Sequence, residues 1–188
     1  MPIIIEELGD KSKGGKGGVT PPLQVRMKAY LDIETSFGGE ITIIGVFCPP
    51  RRIIQLVGEE VNSTNLWNAL DGVSEILTYN GARFDLPVIK RHVRLDLSRY
   101  FHCRDLMHDC WARNLYGGLK KVEEQLGIDR GSKGIDGMQA MRLWERFRYD
   151  RDEASLKTLL EYNRDDIVNL YHLENVLGKT PALRPKKD

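Results

Sequence analysis

Asp32 and Glu34 stand two residues apart in the run MKAYLDIET (27–35), whose aliphatic, aromatic and β-branched residues mark a strand. Side chains at i and i+2 of a strand project from one face. The two carboxylates therefore look the same way, while Leu31 and Ile33 turn to the other side and into the core. The run reads as a central, buried strand, where two like charges about 4 Å apart repel by roughly 4 kcal/mol at an effective dielectric near 20. A cation between them removes that conflict, and a divalent metal is the simplest candidate. The alternative is a solvent-facing pair at a strand end.

A third acid lies in TYNGARFDLPVIKRH (78–92). Asn80-Gly81 is turn chemistry, Phe84 anchors the start of a helix, and Asp85 falls in its first turn with Pro87, whose missing N–H is tolerated there. Taken alone, Asp85 could equally cap that helix or offset its dipole.

The fourth comes from EYNRDDIVNLYHLE (161–174), inside an amphipathic helix. Successive residues advance about 100°, which places Asp166, Leu170, Leu173 and Leu177 within about 40° of Leu159. Asp166 thus sits in an apolar stripe and requires a partner. Asp165 lies about 100° away, on a polar face with Glu161, Asn169 and His172. Tyr162, one turn before Asp166, points to the same side and can bring its hydroxyl to whatever Asp166 binds. Neutralising Asp166 is expected to relieve repulsion among the acids.

Together, LDIET (31–35), YNGARFD (79–85) and YNRDD (162–166) resemble the three motifs of the DEDDy 3′–5′ exonucleases. That group includes the proofreading domains of family B DNA polymerases and the stand-alone YprB-like ribonuclease H-fold exonucleases. The resemblance covers roughly residues 27–177, and GLKKVEEQLGI (118–128) resembles the helix of the YprB-like proteins between the second and third motifs. It implies an α/β, ribonuclease H-like fold with a five-stranded mixed β-sheet flanked by α-helices, and two divalent ions, Mg2+ or Mn2+. By that analogy Asp32 bridges the ions, Glu34 and Asp166 complete the ligands of one, Asp85 holds the other, and Tyr162 orients the attacking water. Two such ions can stabilise the attacking and leaving oxygens of an in-line phosphoryl displacement. The histidine variant of the family needs His at position 161, which is Glu161. Thr35, Phe37, Asn80 and Phe84 follow or match the first two motifs and are expected to contact the terminal nucleotide of a single-stranded DNA or RNA 3′ end, aromatics by stacking. Phe84 reads equally as core and Phe37 as turn filling. Trp67, Trp111 and Trp144 read as packing residues.

The elements that must position these groups follow from pattern. Strands are expected at 27–35, 41–47, 52–57, 75–80 and 100–107, the first three as an antiparallel meander. Helices are expected at 64–70, from Phe84 onward, and at 106–116, 118–126, 136–148 and 152–178. Strands first and helices later suggest a mixed sheet with helices on its faces. GDKSKGGKGGVTPP (9–22) reads as a flexible linker. The division expected is therefore a flexible segment 1–22, one domain over 23–178, and a basic tail at 179–188. Neither the glycine-rich linker nor GKT at 178–180 fits a phosphate-binding loop.

Composition limits the rest. A chain of 188 residues, 41% hydrophobic and 29% charged, suits one globular domain. The net charge of +1 advertises no partner in bulk. Residues 83–148, however, hold 14 Lys/Arg against 9 Asp/Glu, which could guide a polyanion to an acidic site. Three cysteines without a CxxC pair argue against a disulfide framework and suit a reducing cytoplasm. Their spacing to His102 and His108 matches no common zinc motif. MPIIIEELGD has no basic region before its apolar residues, unlike a signal peptide, and no run approaches a membrane span. Two other functions fit the same acids: a structure-specific endonuclease, and a non-catalytic nucleic-acid-binding module.

Overall fold

The computed structural model describes residues 4–7, 27–50, 52–132 and 134–179. Six strands form one sheet: β1 (Ile4–Glu7), β2 (Met27–Thr35), β3 (Ile41–Cys48), β4 (Arg52–Val57), β5 (Val73–Thr78) and β6 (His102–Asp105). Their order is β1-β4-β3-β2-β5-β6. The pairs β1/β4, β4/β3 and β3/β2 are antiparallel. The pairs β2/β5 and β5/β6 are parallel. The meander, the mixed sheet and the flanking helices match the expectation from sequence, with one correction. Among the described residues there are six strands rather than five, because Ile4–Glu7 pairs along β4. That short run carries no turn signals of its own, and its partner lies far along the chain. The Gly/Lys-rich stretch 9–22 and the basic tail beyond Lys179 lie outside the described residues.

Among the described residues, six α-helices complete the fold: α1 (Ser63–Ala69), α2 (Asp85–His92), α3 (Leu106–Trp111), α4 (Leu119–Leu126), α5 (Gly137–Asp150) and α6 (Glu153–Lys179). Strand alternation sorts the side chains into two layers. On one face, Ala29, Leu31 and Ile33 join Ile44, Val46, Ile54 and Leu56 beneath α1 and α2, through Leu66, Ala69, Val88 and Ile89. On the other, Tyr30, Phe47 and Ile53 meet α3, α4 and α6 through Leu106, Val122, Ile167, Leu170, Leu173 and Leu177. Further along that face, Ile43 and Val57 meet Trp144 and Phe147 of α5 and Leu159 of α6. Burying each large aliphatic side chain contributes about 1.5–3 kcal/mol.

The apolar stripe on α6 thus lies where its periodicity puts it, flat across the sheet. Glu174 pins the far end. It accepts from the Tyr30 hydroxyl and pairs with Lys28 at 2.6 Å and Arg104 at 3.0 Å. Asn169 departs from the expected polar face: it is buried and donates to the Asp129 carbonyl at 3.2 Å. Of the tryptophans, Trp144 is core, Trp67 is 47% exposed against Tyr100, and Trp111 is half-buried.

Candidate active site

The acid-bearing face of β2 lies under α6. Asp32 pairs with Gly45 of β3, and Gly45 pairs with Gln55 of β4, so these three positions form one row across three strands. Asn163 of α6 covers the row, fully buried. Its amide donates to Asp32 Oδ2 at 3.2 Å and accepts from Gln55 Nε2 at 2.9 Å. Gln55 also donates to the Leu160 carbonyl at 2.9 Å. Gly45 is required for this approach: a Cβ there would run into Asn163 Oδ1 and sit 3.0 Å from its Cγ. Thr35, at the end of β2, follows a register shift in the β2/β3 pairing.

Two residues further along β2, Glu34 is buried, and one turn after Tyr162, so is Asp166. Ligand-type oxygens of Asp32, Glu34 and Asp166 all lie within 4.8 Å of one another. Asp85 enters from the start of α2 and is 3% exposed. It does not cap its own helix. Its Oδ1 instead accepts from the Ile33 amide at 3.2 Å, tying α2 to the middle of the acid strand.

Burial is the main influence on these acids. It pushes the carboxyls of Asp32 and Glu34 well above the ordinary carboxylate range, with repulsion from Asp166 next in order. Asp85 is pushed up to about 7 by burial, against two backbone amides that favour its charged form. Asp166 rises to about 6, burial outweighing the pull of Arg130. The Tyr162 hydroxyl is also raised by burial, and then by Asp166, Glu34 and Asp32. It therefore stays protonated at neutral pH and can serve as a hydrogen-bonding group.

Two cations that sequence reasoning did not single out in these roles shape the site. Arg130 donates to both oxygens of buried Glu123, at 2.8 and 2.9 Å, and to Asp166 Oδ1 at 2.6 Å. Lys120 holds its ammonium 4.4 Å from the centre of the Tyr162 ring and donates to the Ile135 carbonyl. Burial lowers the Lys120 pKa. No spacing rule exposes Arg130, which lies in a loop 36 residues before Asp166. Asp165 faces away from the acids and accepts from the Ser132 amide at 2.7 Å, which secures that same loop.

Asp32, Tyr162 and Asp166 line a cleft of about 540 Å³, together with Asn80, Arg83 and Trp111 among others. Asn80 is thus the expected substrate-contact residue that lines it. Thr35 is half-buried at the end of β2, and Phe37 and Phe84 are 51% and 44% exposed. Of the basic residues between 83 and 148, Arg83 and Lys120 reach the cleft wall, whereas Lys90 is engaged with Asp96 at 2.8 Å.

The donor set fits divalent ions of the hard, oxygen-preferring kind. The fit shows in Glu34, whose Oε1 is buried with no hydrogen-bond partner beside two further carboxylates. An oxygen in that position lacks a cation or a donor.

A mixed sheet whose inner strand brings two acids against a third from the helix above it defines a ribonuclease H-like protein with a candidate metal site. The chain belongs to the RNase H superfamily, whose RNase_H_2 family model matches residues 29–178; members are usually nucleases and use divalent metals. The chain is 26% identical over 167 residues to the uncharacterized protein MJ0365 of Methanocaldococcus jannaschii, covering 80% of this chain and 94% of that one. The fold is similar to that of the family B DNA polymerase from the hyperthermophilic archaeon Pyrobaculum calidifontis, with a TM-score of 0.62 and 17% identity. That match covers 86% of this chain but only 25% of the polymerase, so the chain spans a quarter of that enzyme's length. Among the described residues, no helix is long and apolar enough to cross a membrane.

Proposed function

We propose that this protein is a metal-dependent 3′–5′ exonuclease that releases mononucleotides from single-stranded DNA or RNA. The observation that carries the reading is the meeting of Asp32, Glu34 and Asp166 within 4.8 Å, with Tyr162 one helical turn from Asp166 and with Asp32, Tyr162 and Asp166 lining one cleft. Asp32, Glu34 and Asp166 would hold divalent ions, with Asp85 contributing beside them. When bound, those ions neutralise charge on the attacking and leaving oxygens of phosphoryl transfer.

The chain's own groups supply orientation. Asn163 and Gln55 hold Asp32 in place, and Arg130 holds Asp166 through one oxygen. The protonated Tyr162 hydroxyl hydrogen-bonds the water that attacks phosphorus. The new P–O bond forms as the bond to the 3′ oxygen of the preceding nucleotide breaks; the attacking water gives a proton to solvent, the 3′ oxygen takes one up, and a nucleoside 5′-monophosphate leaves. Lys120, at the cleft wall, attracts the phosphate backbone.

Single-stranded DNA and RNA labelled at the 5′ end, incubated with Mg2+, Mn2+ or EDTA, test this directly. Ladders shortening from the 3′ end with either metal, and abolished by EDTA, are expected. Intact oligonucleotides under every metal condition would remove the enzyme reading. An endonuclease with the same acids would instead cut circular single strands, which an exonuclease leaves closed.

A further inference from the structure

Trp111 ends α3 half-buried on the wall of the cleft that holds Asp32, Tyr162 and Asp166. It stays outside the apolar cluster that takes Leu106 and Cys110 from the same helix. The exposed Arg83 guanidinium lies 6.0 Å from the centre of its indole ring. An aromatic ring with a guanidinium over it, in one cleft wall with Asp32 and Asp166, is a combination that stacks nucleic-acid bases.

The pair is built rather than incidental. Asp105, 8% exposed, caps α3 by accepting from the Met107 amide at 3.1 Å. The same carboxylate accepts from the Asn80 amide at 2.8 Å and the Ala82 amide at 3.2 Å. One buried side chain therefore fixes both the loop that carries Arg83 and the helix that carries Trp111. The loop is tightly specified. Asn80 takes a left-handed φ of 61°, and a Cβ at Gly81 would collide with the Thr78 side chain. Across the cleft, the Tyr79 hydroxyl donates to the Gly117 carbonyl at 2.7 Å and closes that wall.

We propose that Trp111 and Arg83 form a base-stacking subsite for a nucleotide beside the scissile phosphate of single-stranded nucleic acid. The subsite rests on the nuclease reading above and adds a reason for strand selectivity. A base stacked inside a duplex has both faces covered by its neighbours, whereas an unpaired base has a face free for the indole. Every base has such a face, so the subsite tolerates sequence and accepts DNA and RNA alike.

Steady-state kinetics with Mn2+ on single strands test it, using the full chain and its Trp111→Ala, Trp111→Phe and Arg83→Gln variants. Trp111→Ala raises KM about tenfold or more with kcat changed by less than about threefold, and Trp111→Phe restores most of the loss. Arg83→Gln raises KM less and flattens its dependence on salt. Strands with abasic sites at the last two positions lose the same factor with the unaltered protein and lose nothing further with Trp111→Ala. Equal KM values for Trp111→Ala and the unaltered protein on intact strands overturn the subsite and leave the nuclease reading standing. An abasic penalty of the same size in both proteins does likewise. Failure of the unaltered protein to cleave any strand overturns both. Should circular dichroism show that Trp111→Ala does not fold, Trp111→Leu takes its place, filling the position without a ring that can stack.

Discussion

Gly45 on β3 lies directly under Asn163 of α6, close enough that no other residue fits between the strand and the amide. Because Asn163 donates to Asp32, the missing side chain at position 45 is part of how the first acid is oriented. Gly45→Ala should therefore act on the site from a distance. Overpacking of this kind costs about 1–3 kcal/mol, and displacing a partner of a metal ligand typically costs about 10–100-fold in affinity or activity. Urea unfolding and nuclease rates measure the two effects separately. A Gly45→Ala, Asn163→Ala pair should regain stability while activity stays low; recovery of both would show that Asn163 has no part in placing Asp32.

The adjacent aspartates separate cleanly. Asp166→Asn should nearly abolish turnover, since it removes a carboxylate from the three-acid centre. Asp165→Asn keeps an acceptor for the Ser132 amide and should retain most activity. Tyr162→Phe should fall between them, folded and metal-binding but slow. One nuclease assay ranks the three, and an inactive Asp165→Asn beside an active Asp166→Asn would reverse the assignment.

Relief of repulsion in metal-free protein is expected from Glu34 more than from Asp166. Asp166 is paired with Arg130, so neutralising it also removes an ion pair. Glu34 has no such partner at Oε1. Glu34→Gln should raise the melting temperature in EDTA, and Asp166→Asn should not; differential scanning calorimetry distinguishes them.

Stability should depend on pH in a direction set by the raised acids. Asp85 titrates at about 7 and Asp166 at about 6 in the folded protein, both above their ordinary values. Between the unfolded and folded pKa values the native state binds more protons than the unfolded chain, so stability falls as pH rises. Metal-free protein should be steadied by these groups near pH 4 and lose that contribution progressively to about pH 7. Mn2+ should restore stability most on the alkaline side of that window. A melting temperature in EDTA that climbs from pH 4 to pH 8 would contradict the protonation of these two acids.

Arg130 joins Glu123 to Asp166, with Glu123 only 2% exposed. Arg130→Met strands a buried carboxylate and should cost about 3–5 kcal/mol in urea unfolding. Adding Glu123→Met removes the stranded charge and should return most of that loss. Removing the guanidinium by itself favours a cation at Asp166, so a fall in Mn2+ affinity by calorimetric titration would report lost orientation of that carboxylate. An unaltered affinity would make the Arg130 contact purely structural.

Local spacing determined much of this protein. Period-two alternation put Asp32 and Glu34 on one face of β2, and the 100° advance of α6 buried Asp166 while turning Asp165 aside. Those are short-range consequences of backbone geometry, so three acidic motifs and a mixed sheet are legible in the chain itself. What surrounds the acids depends on register between distant segments. Asp32, Gly45 and Gln55 share a row only because three strands pair in that alignment, and Asn163 reaches it only because α6 lies flat on them. Arg130 meets Asp166, and Asp105 couples Arg83 to Trp111, through contacts that no periodicity encodes. The same holds for β1, whose strand character comes from a partner far along the sequence. Tertiary packing alone decided these, because a long-range contact is fixed by the joint fit of whole elements and leaves no repeat in either segment.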